Sequence, residues 1–200
     1  MAALVDGFGQ HLVIKVPENV AEIRQHSSPV GVSVRSRTTD RLPGMGIRVE
    51  AIQEASQELI DAFGRLLPQL SSTAKSLDYE AVSRMVTCGA NSVLVARTSD
   101  VIVGTLTLVL LPLPSGVRAR IEDVVVDGEA RGQGVAALLT EEALRIAREA
   151  GGRTVDLTSR QDRAAANRLY ERLGFQARQS MVYRFPMDGQ RLHPSVASAC

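Results

Sequence analysis

Three groups of residues have types and spacings that could do chemistry. The first is Arg131-Gly132-Gln133-Gly134, followed by Val135, Ala136 and Ala137. It stands just downstream of the apolar run Val124-Val125-Val126. Glycines let a backbone approach a ligand closely, and the first amides of a helix lack intrahelical acceptors, so together they suit a phosphate. A plain glycine-rich turn would use the same residues. The segment has no Gly-Lys-Ser/Thr and does not complete Gly-x-Gly-x-x-Gly, so its surroundings must decide. The second group is the adjacent carboxylate pair Glu122 and Asp123. Such a group can take a proton from an ammonium, or can simply be solvated at a strand end. The third is Arg163, Asn167 and Tyr170, at i, i+4 and i+7 on one helical stripe, beside the apolar stripe Leu169 and Leu173. A polar stripe bearing a tyrosine suits a face turned to a ligand; the alternative is a core tyrosine.

Other chemistries find little support. His11, His26 and His193 lie in the two ends of the chain, and Cys88 precedes a Gly-Ala-Asn turn with no histidine near it in sequence. No metal site and no Cys/His nucleophile are therefore expected. Cys88 and Cys200 read as reduced thiols rather than a disulfide framework.

The elements that must position these groups follow from periodicity. Ile47 to Ala51 alternates as a strand. Glu54 to Leu67 places Leu59, Ile60, Phe63, Leu66 and Leu67 at helical spacing, with Pro68 expected to stop or kink the helix. A second helix spans 79–86. Strands follow at 92–97, 101–111 and 118–126, with Ser99-Asp100 as a hairpin turn. An amphipathic helix over 134–150 ends at Gly151-Gly152. A short strand at 154–157, a helix at 162–173 closed by Gly174, and a last strand at 175–185 complete the series. Antiparallel strands first and a βαβ crossover later make an α+β protein, with a mixed, mostly antiparallel sheet flanked by helices.

The bulk numbers are those of one ordinary domain. The chain has 200 residues, 44% hydrophobic and 22% charged, with a net charge of +1. That charge gives no global pull toward nucleic acid or an anionic membrane, so an anion site must be local. With no tryptophan and few aromatics, base stacking is disfavoured. No apolar run reaches the roughly 20 residues of a membrane span, and the first residues lack the pattern of a secretory signal. A cytoplasmic location is the expectation. Residues 1–44 read as a flexible N-terminal extension, with a short strand possible in composition at 10–16 and Met45 as an alternative start. Residues 45–186 read as the domain, and 187–200 as a tail.

The glycine segment has a further property. Arg131-Gly132-Gln133-Gly134-Val135-Ala136 resembles the first signature of the GNAT superfamily of N-acetyltransferases, Gln/Arg-x-x-Gly-x-Gly/Ala. Asn167 to Phe175 resembles its second, a helix that carries a tyrosine and ends in Gly-Phe. The order, separation and intervening elements also match, over about residues 47–185.

The resemblance implies an enzyme that transfers an acetyl group from acetyl-CoA to a primary amine, by direct attack in a ternary complex. It implies that the backbone of Val124, Val125 and Val126 holds the pantetheine arm as a neighbouring strand would. The pyrophosphate would lie on the amides from Gly132 to Ala137, with Arg131 beside it. A bulge in that strand is implied too, although nothing in its residues marks one. Tyr170 matches the acid that protonates the departing thiolate, and a phenol of pKa about 10 is suited to that task. Asn167 is the expected contact to the cofactor; family members often carry an asparagine where this chain has Arg163, for which contact with a phosphate is the alternative. Glu122 is favoured as base and Asp123 is second, both as substrate-binding residues. Strand alternation puts Glu122, Val124 and Val126 on one face and Asp123 and Val125 on the other. Glu-Asp-Val-Val-Val is similar to the strand of glucosamine-phosphate N-acetyltransferases, although the later pattern of that group is not evident. Asp156 and Ser159 are further substrate contacts in this reading. A small-molecule amine is the first acceptor expected and a protein lysine or N-terminus the second. A non-catalytic acyl-CoA sensor is the alternative from another class. No nucleic acid or membrane partner is expected, and a homodimer is allowed for.

Overall fold

The structure is a computed structural model that describes residues 46–187 and the strand Arg37–Thr38. The rest of the extension, the strand expected at 10–16, the tail beyond Met187, all three histidines and Cys200 lie outside the described residues. Two compact units divide between Asp156 and Leu157, within the span read from sequence as a single domain.

The first unit is built on a six-stranded sheet in sequence order. Its elements are β1 (Arg37–Thr38), β2 (Arg48–Ile52), α1 (Gln57–Leu70), α2 (Tyr79–Thr87), β3 (Asn91–Thr98), β4 (Val101–Leu113), β5 (Gly116–Val126), α3 (Val135–Glu149) and β6 (Val155–Asp156). Neighbouring strands are antiparallel except β5 and β6, which are parallel and joined through α3. The β3–β4 hairpin turns on Ser99 and Asp100, both at positive φ (46° and 68°). This is the two-residue geometry whose twist matches the flanking strands. β1 falls inside the segment expected to be an extension, and it pairs with β2 at the sheet edge.

Each helix is bounded by its own sequence. Ser56 caps α1 by accepting from the Leu59 amide at 3.2 Å, and Asp78 caps α2 by accepting from the Ala81 amide at 2.7 Å. Pro68 does not stop α1. The helix runs on to Leu70, and the Ser71 amide still reaches the Leu67 carbonyl at 3.0 Å. A proline ring crowds the carbonyl four residues earlier, and here that residue is Gly64, in the last turns where little helix remains to be disrupted.

Both sheet faces are covered. Leu59, Ala62, Phe63 and Leu66 of α1, with Val82 and Val86 of α2, bury Val93, Val95, Ile102 and Val125. On the other face α3 supplies Val135, Leu139, Ala143 and Ile146, all essentially buried. Each fully buried Val, Leu, Ile or Phe side chain among these contributes about 1.5–3 kcal/mol of burial free energy. Close approach of α3 requires Gly104: a Cβ there would lie 2.9 Å from Val135 Cγ1 and 3.2 Å from the Val125 carbonyl oxygen. A glycine inside a strand marks such an approach.

The second unit contains α4 (Ala164–Arg172). It ends in a Schellman motif: the Gly174 amide donates to the Glu171 carbonyl at 3.0 Å and the Phe175 amide to that of Tyr170 at 2.9 Å. Gly174 sits at φ +91°, which explains the glycine in the Gly-Phe pair. The strand expected over 175–185 is not formed. Residues 176–186 carry no helix or strand, and Met181, Val182, Tyr183 and Phe185 are exposed. Alternation forms a strand only where a partner supplies the ladder, and no strand pairs with this stretch among the described residues.

Candidate active site

The first unit gathers three stretches along one line: the acidic pair, the valines after it, and the glycine loop entering α3. The register of β4 against β5 organises the first two. Thr107 opposes Glu122, but Thr105 opposes Val125, so two steps on β4 answer three on β5. The extra residue is a β-bulge. Asp123 sits in it at φ +50°, in the left-handed region.

The bulge corrects the face assignment read from alternation. Directly opposed residues share a face. Thr105 and Thr107 oppose Val95 and Val93, which lie under α1 and α2, so Glu122 and Val125 both project to that side. Ile121 and Val126, opposite Leu108 and Gly104, project to the α3 side. One inserted residue reverses every side chain that follows it.

Past the bulge, the far edge of β5 is open. β6 pairs with β5 only through Ala119 and Arg120. From Ile121 to Val126 no strand pairs on that side among the described residues. Val124 to Val126 therefore present backbone groups that an extended ligand could meet as a neighbouring strand.

The loop after β5 is fastened on the protein side. A 3-10 turn over Gly128–Ala130 follows Asp127, whose carboxylate is ion-paired to Arg65 of α1 at 3.3 Å. Arg65 also donates to the Ile102 carbonyl at 2.6 Å. Gln69 of α1 accepts from the Gly128 amide at 3.0 Å and from Arg131 at 3.3 Å, while Arg131 Nε donates to the Val126 carbonyl at 3.2 Å. Arg131 is thus a clamp on its own loop. Gln133 likewise donates its side-chain amide to the Glu129 carbonyl at 3.1 Å. Sequence reading missed Arg65 and Gln69, which look like ordinary polar-face residues of α1. Only a contact across the fold reveals them.

The other side of the loop is left unfilled. Gly132 and Gly134 adopt φ +77° and +86°, and a Cβ on either would meet, beyond its chain neighbours, no atom of the described residues within 4 Å. Gly134 is the N-cap of α3 and offers no side-chain cap. The amides of Val135, Ala136 and Ala137 precede the first intrahelical acceptor, with the helix dipole behind them. Such a terminus favours an anion.

The two carboxylates of the pair differ. Glu122 is ion-paired to Arg120, two residues earlier on the same face. No donor among the described residues reaches the Asp123 carboxylate. Asp123 is exposed at the surface; the partial desolvation of its carboxylate first, and the charge of Glu122 second, shift its pKa above the usual carboxylate value. Asp156 lies opposite Arg120 on β6 and is exposed.

In the second unit, Tyr170 and Asn167 share α4. The Tyr170 ring meets Phe175 edge to face, centroids 5.8 Å apart and planes at 67°. The helix stop thus turns Phe175 back against the phenol and fixes its orientation. Burial raises the Tyr170 pKa against a lowering by the charge of Arg163, so the phenol keeps its proton at neutral pH. Asn167 donates its side-chain amide to the carbonyl of Arg160 at 3.1 Å, bracing the turn before α4.

Comparison with known proteins agrees with this anatomy. Residues 54–175 match the family model described as "Acetyltransferase (GNAT) family". A fission yeast protein, N-alpha-acetyltransferase 30 of Schizosaccharomyces pombe, is 36% identical over 73 residues, 36% of this chain and 48% of that protein. The matched part thus spans about half the length of that curated relative. Among solved structures, a transcriptional regulator from Bacillus halodurans is 28% identical over 68% of this chain and 99% of its own, with a TM-score of 0.59. An aminoglycoside N-acetyltransferase in complex with CoA shares the fold at 15% identity, covering 73% of this chain and 99% of its own, with a TM-score of 0.61.

Proposed function

The chain belongs to the GNAT acetyltransferase family, and on that premise we propose that it is an N-acetyltransferase that transfers the acetyl group of acetyl-CoA directly to a primary amine of a small molecule in a ternary complex. One observation carries the cofactor half of this reading. The open edge of β5 at Val124–Val126 leads, through a clamped loop, to an uncapped helix N-terminus with two left-handed glycines. An extended amide-bearing arm suits the first and a pyrophosphate suits the second. In this assignment Gly132 to Ala137 hold the pyrophosphate, with Arg131 shaping their loop and Asn167 bracing the turn before α4.

The acceptor arrives as an ammonium and must lose a proton before its nitrogen attacks the acetyl carbon. The acidic pair Glu122–Asp123 at the bulge serves that step, with Glu122 the first expectation from sequence. A strand amide near Val124 stabilises the oxyanion. Tyr170, kept protonated by partial burial, gives its proton to the departing thiolate. We place the reaction in the cytoplasm; among the described residues no helix is long and apolar enough to cross a membrane.

A polypeptide N-terminus is the second acceptor, favoured by the likeness to the fission yeast N-alpha-acetyltransferase. Thiol release from acetyl-CoA in the presence of polyamines, aminoglycosides and free-amine peptides separates the two. Tyr170→Phe is expected to lower kcat by about 100-fold with CoA binding unchanged. Undiminished turnover of every accepted amine by that variant would remove Tyr170 from the mechanism.

A further inference from the structure

We propose that Asp123 is the catalytic base of this acetyltransferase, and that Glu122, paired with Arg120, is a positioning residue beside it. The assignment rests on the amine-acceptor reading above and reverses the order of preference that the sequence suggested.

Three observations carry it. First, Asp123 occupies the extra position of the bulge, at φ +50°, where a side chain is disfavoured and aspartate is among the few that tolerate it. A glycine would sit there without strain. Second, its carboxylate lacks a donor among the described residues, while that of Glu122 is engaged by Arg120. A base must be free to bind the proton it removes, and a carboxylate held by a guanidinium resists protonation. Third, Asp123 directly precedes Val124, where the open edge of β5 begins its proposed cofactor stretch. Across the ladder Thr105, Leu106 and Thr107 are uncharged, and Glu122 is the charge that acts on Asp123. Although Asp123 is exposed, partial desolvation and that charge both raise its proton affinity, in the direction a general base needs. Asp123 thus holds a disfavoured backbone conformation at a position where its carboxylate is open to a ligand. Cost of this kind collects at functional positions.

The step balances as follows. The ammonium gives one proton to the Asp123 carboxylate, and the freed lone pair forms the C–N bond to the acetyl carbon. The C–S bond breaks and its electrons leave on sulfur. The second proton lost by nitrogen ends on the thiolate, by way of Tyr170, and Asp123 returns its own to solvent.

The test uses the full chain, acetyl-CoA, and the first panel amine that the wild type acetylates. Asp123→Asn keeps the left-handed backbone and removes the base. It is expected to lower kcat/KM by about 100-fold or more, to leave CoA affinity by calorimetry unchanged, and to lose less as pH rises and the amine deprotonates in solution. It is also expected to melt no lower than the wild type at pH 7. Glu122→Gln is expected to raise the KM of the amine more than it lowers kcat. The assignment is overturned if Asp123→Asn stays within threefold of wild type, or if Glu122→Gln shows the larger loss of kcat. A wild type that acetylates no amine in the panel overturns the acceptor reading instead. The melting arm still judges Asp123 in that case, because a lower Tm for Asp123→Asn would make it a structural residue.

Discussion

Two acidic corners flank α1 and are built in opposite ways. At the first, Arg97 of β3 holds Glu50 of β2 at 2.5 Å, takes Glu58 of α1 through both terminal nitrogens, and donates to the Asp100 carbonyl at 2.9 Å. Two strands, a helix and a hairpin turn are joined at one guanidinium. At the second, among the described residues, the bulge and the loop beyond it leave a carboxylate without a donor, a strand edge without a partner and a helix N-terminus without a side-chain cap. The charged side chains of the first corner are paired with one another within the fold. In the second, the fold supplies polar groups and stops short of using them. The contrast separates residues that hold the molecule together from residues that await another one.

The cradle should show the largest effect if this division is right. Gly134→Val forces a β-branched residue to φ +86°, where its Cβ projects into space that no atom of the described residues fills. CoA affinity is expected to fall about 10- to 100-fold, the worth of one or two charge-assisted hydrogen bonds. The strained backbone should cost a smaller amount of stability, roughly 1–2 kcal/mol. Calorimetric titration with CoA beside urea unfolding measures both. Equal losses in the two would mean that the loop serves the fold.

Arg97→Ala should give the reverse pattern. The Arg97 side chain is 13% exposed, and its removal leaves Glu50 and Glu58 facing each other. A fully buried pair broken in this way costs about 3–5 kcal/mol. Glu58 is 53% exposed and can take up water, so about 2 kcal/mol is expected in urea unfolding. CoA affinity should hold, since nothing in the cradle touches this corner.

The same contrast accounts for what could be read from the sequence. The glycine loop and α3 were legible because glycine and amphipathic spacing report local backbone needs. The helix stop at Gly174-Phe175 was legible for the same reason: a Schellman motif is written in adjacent residues. The bulge was not, because it is a property of two strands in register. Glu122-Asp123-Val124-Val125-Val126 reads as unbroken alternation, and no glycine marks the insertion. Aspartate tolerates the left-handed region that the bulge imposes, but inside a β-branched run it does not by itself mark an insertion. Arg65, Gln69 and Arg120 were missed because each acts on a partner outside its own periodic pattern. The strand expected at 175–185 failed for the converse reason, since alternation alone supplies no ladder partner.

The smallest expected effect discriminates through its sign. Arg97 holds the Glu58 carboxyl below the usual range, chiefly by hydrogen bonding and against a smaller burial effect. A carboxylate with a depressed folded pKa adds stability above its unfolded pKa, about 4.3, and that stability is lost as pH falls through the folded value. Glu58→Gln should therefore cost up to about 0.5 kcal/mol at pH 7, for a half-exposed pair, and almost nothing near pH 3. Asp123 is shifted the other way, so its charged form is a burden on the fold above the ordinary pKa of about 3.9 and none below it. Asp123→Asn should stabilise at pH 7 and lose that gain as pH falls toward 3. Urea unfolding of both variants between pH 3 and pH 7 thus places two carboxylates beside the same helix on opposite sides of the wild type. If both differences carried the same sign, the bulge would be another structural corner.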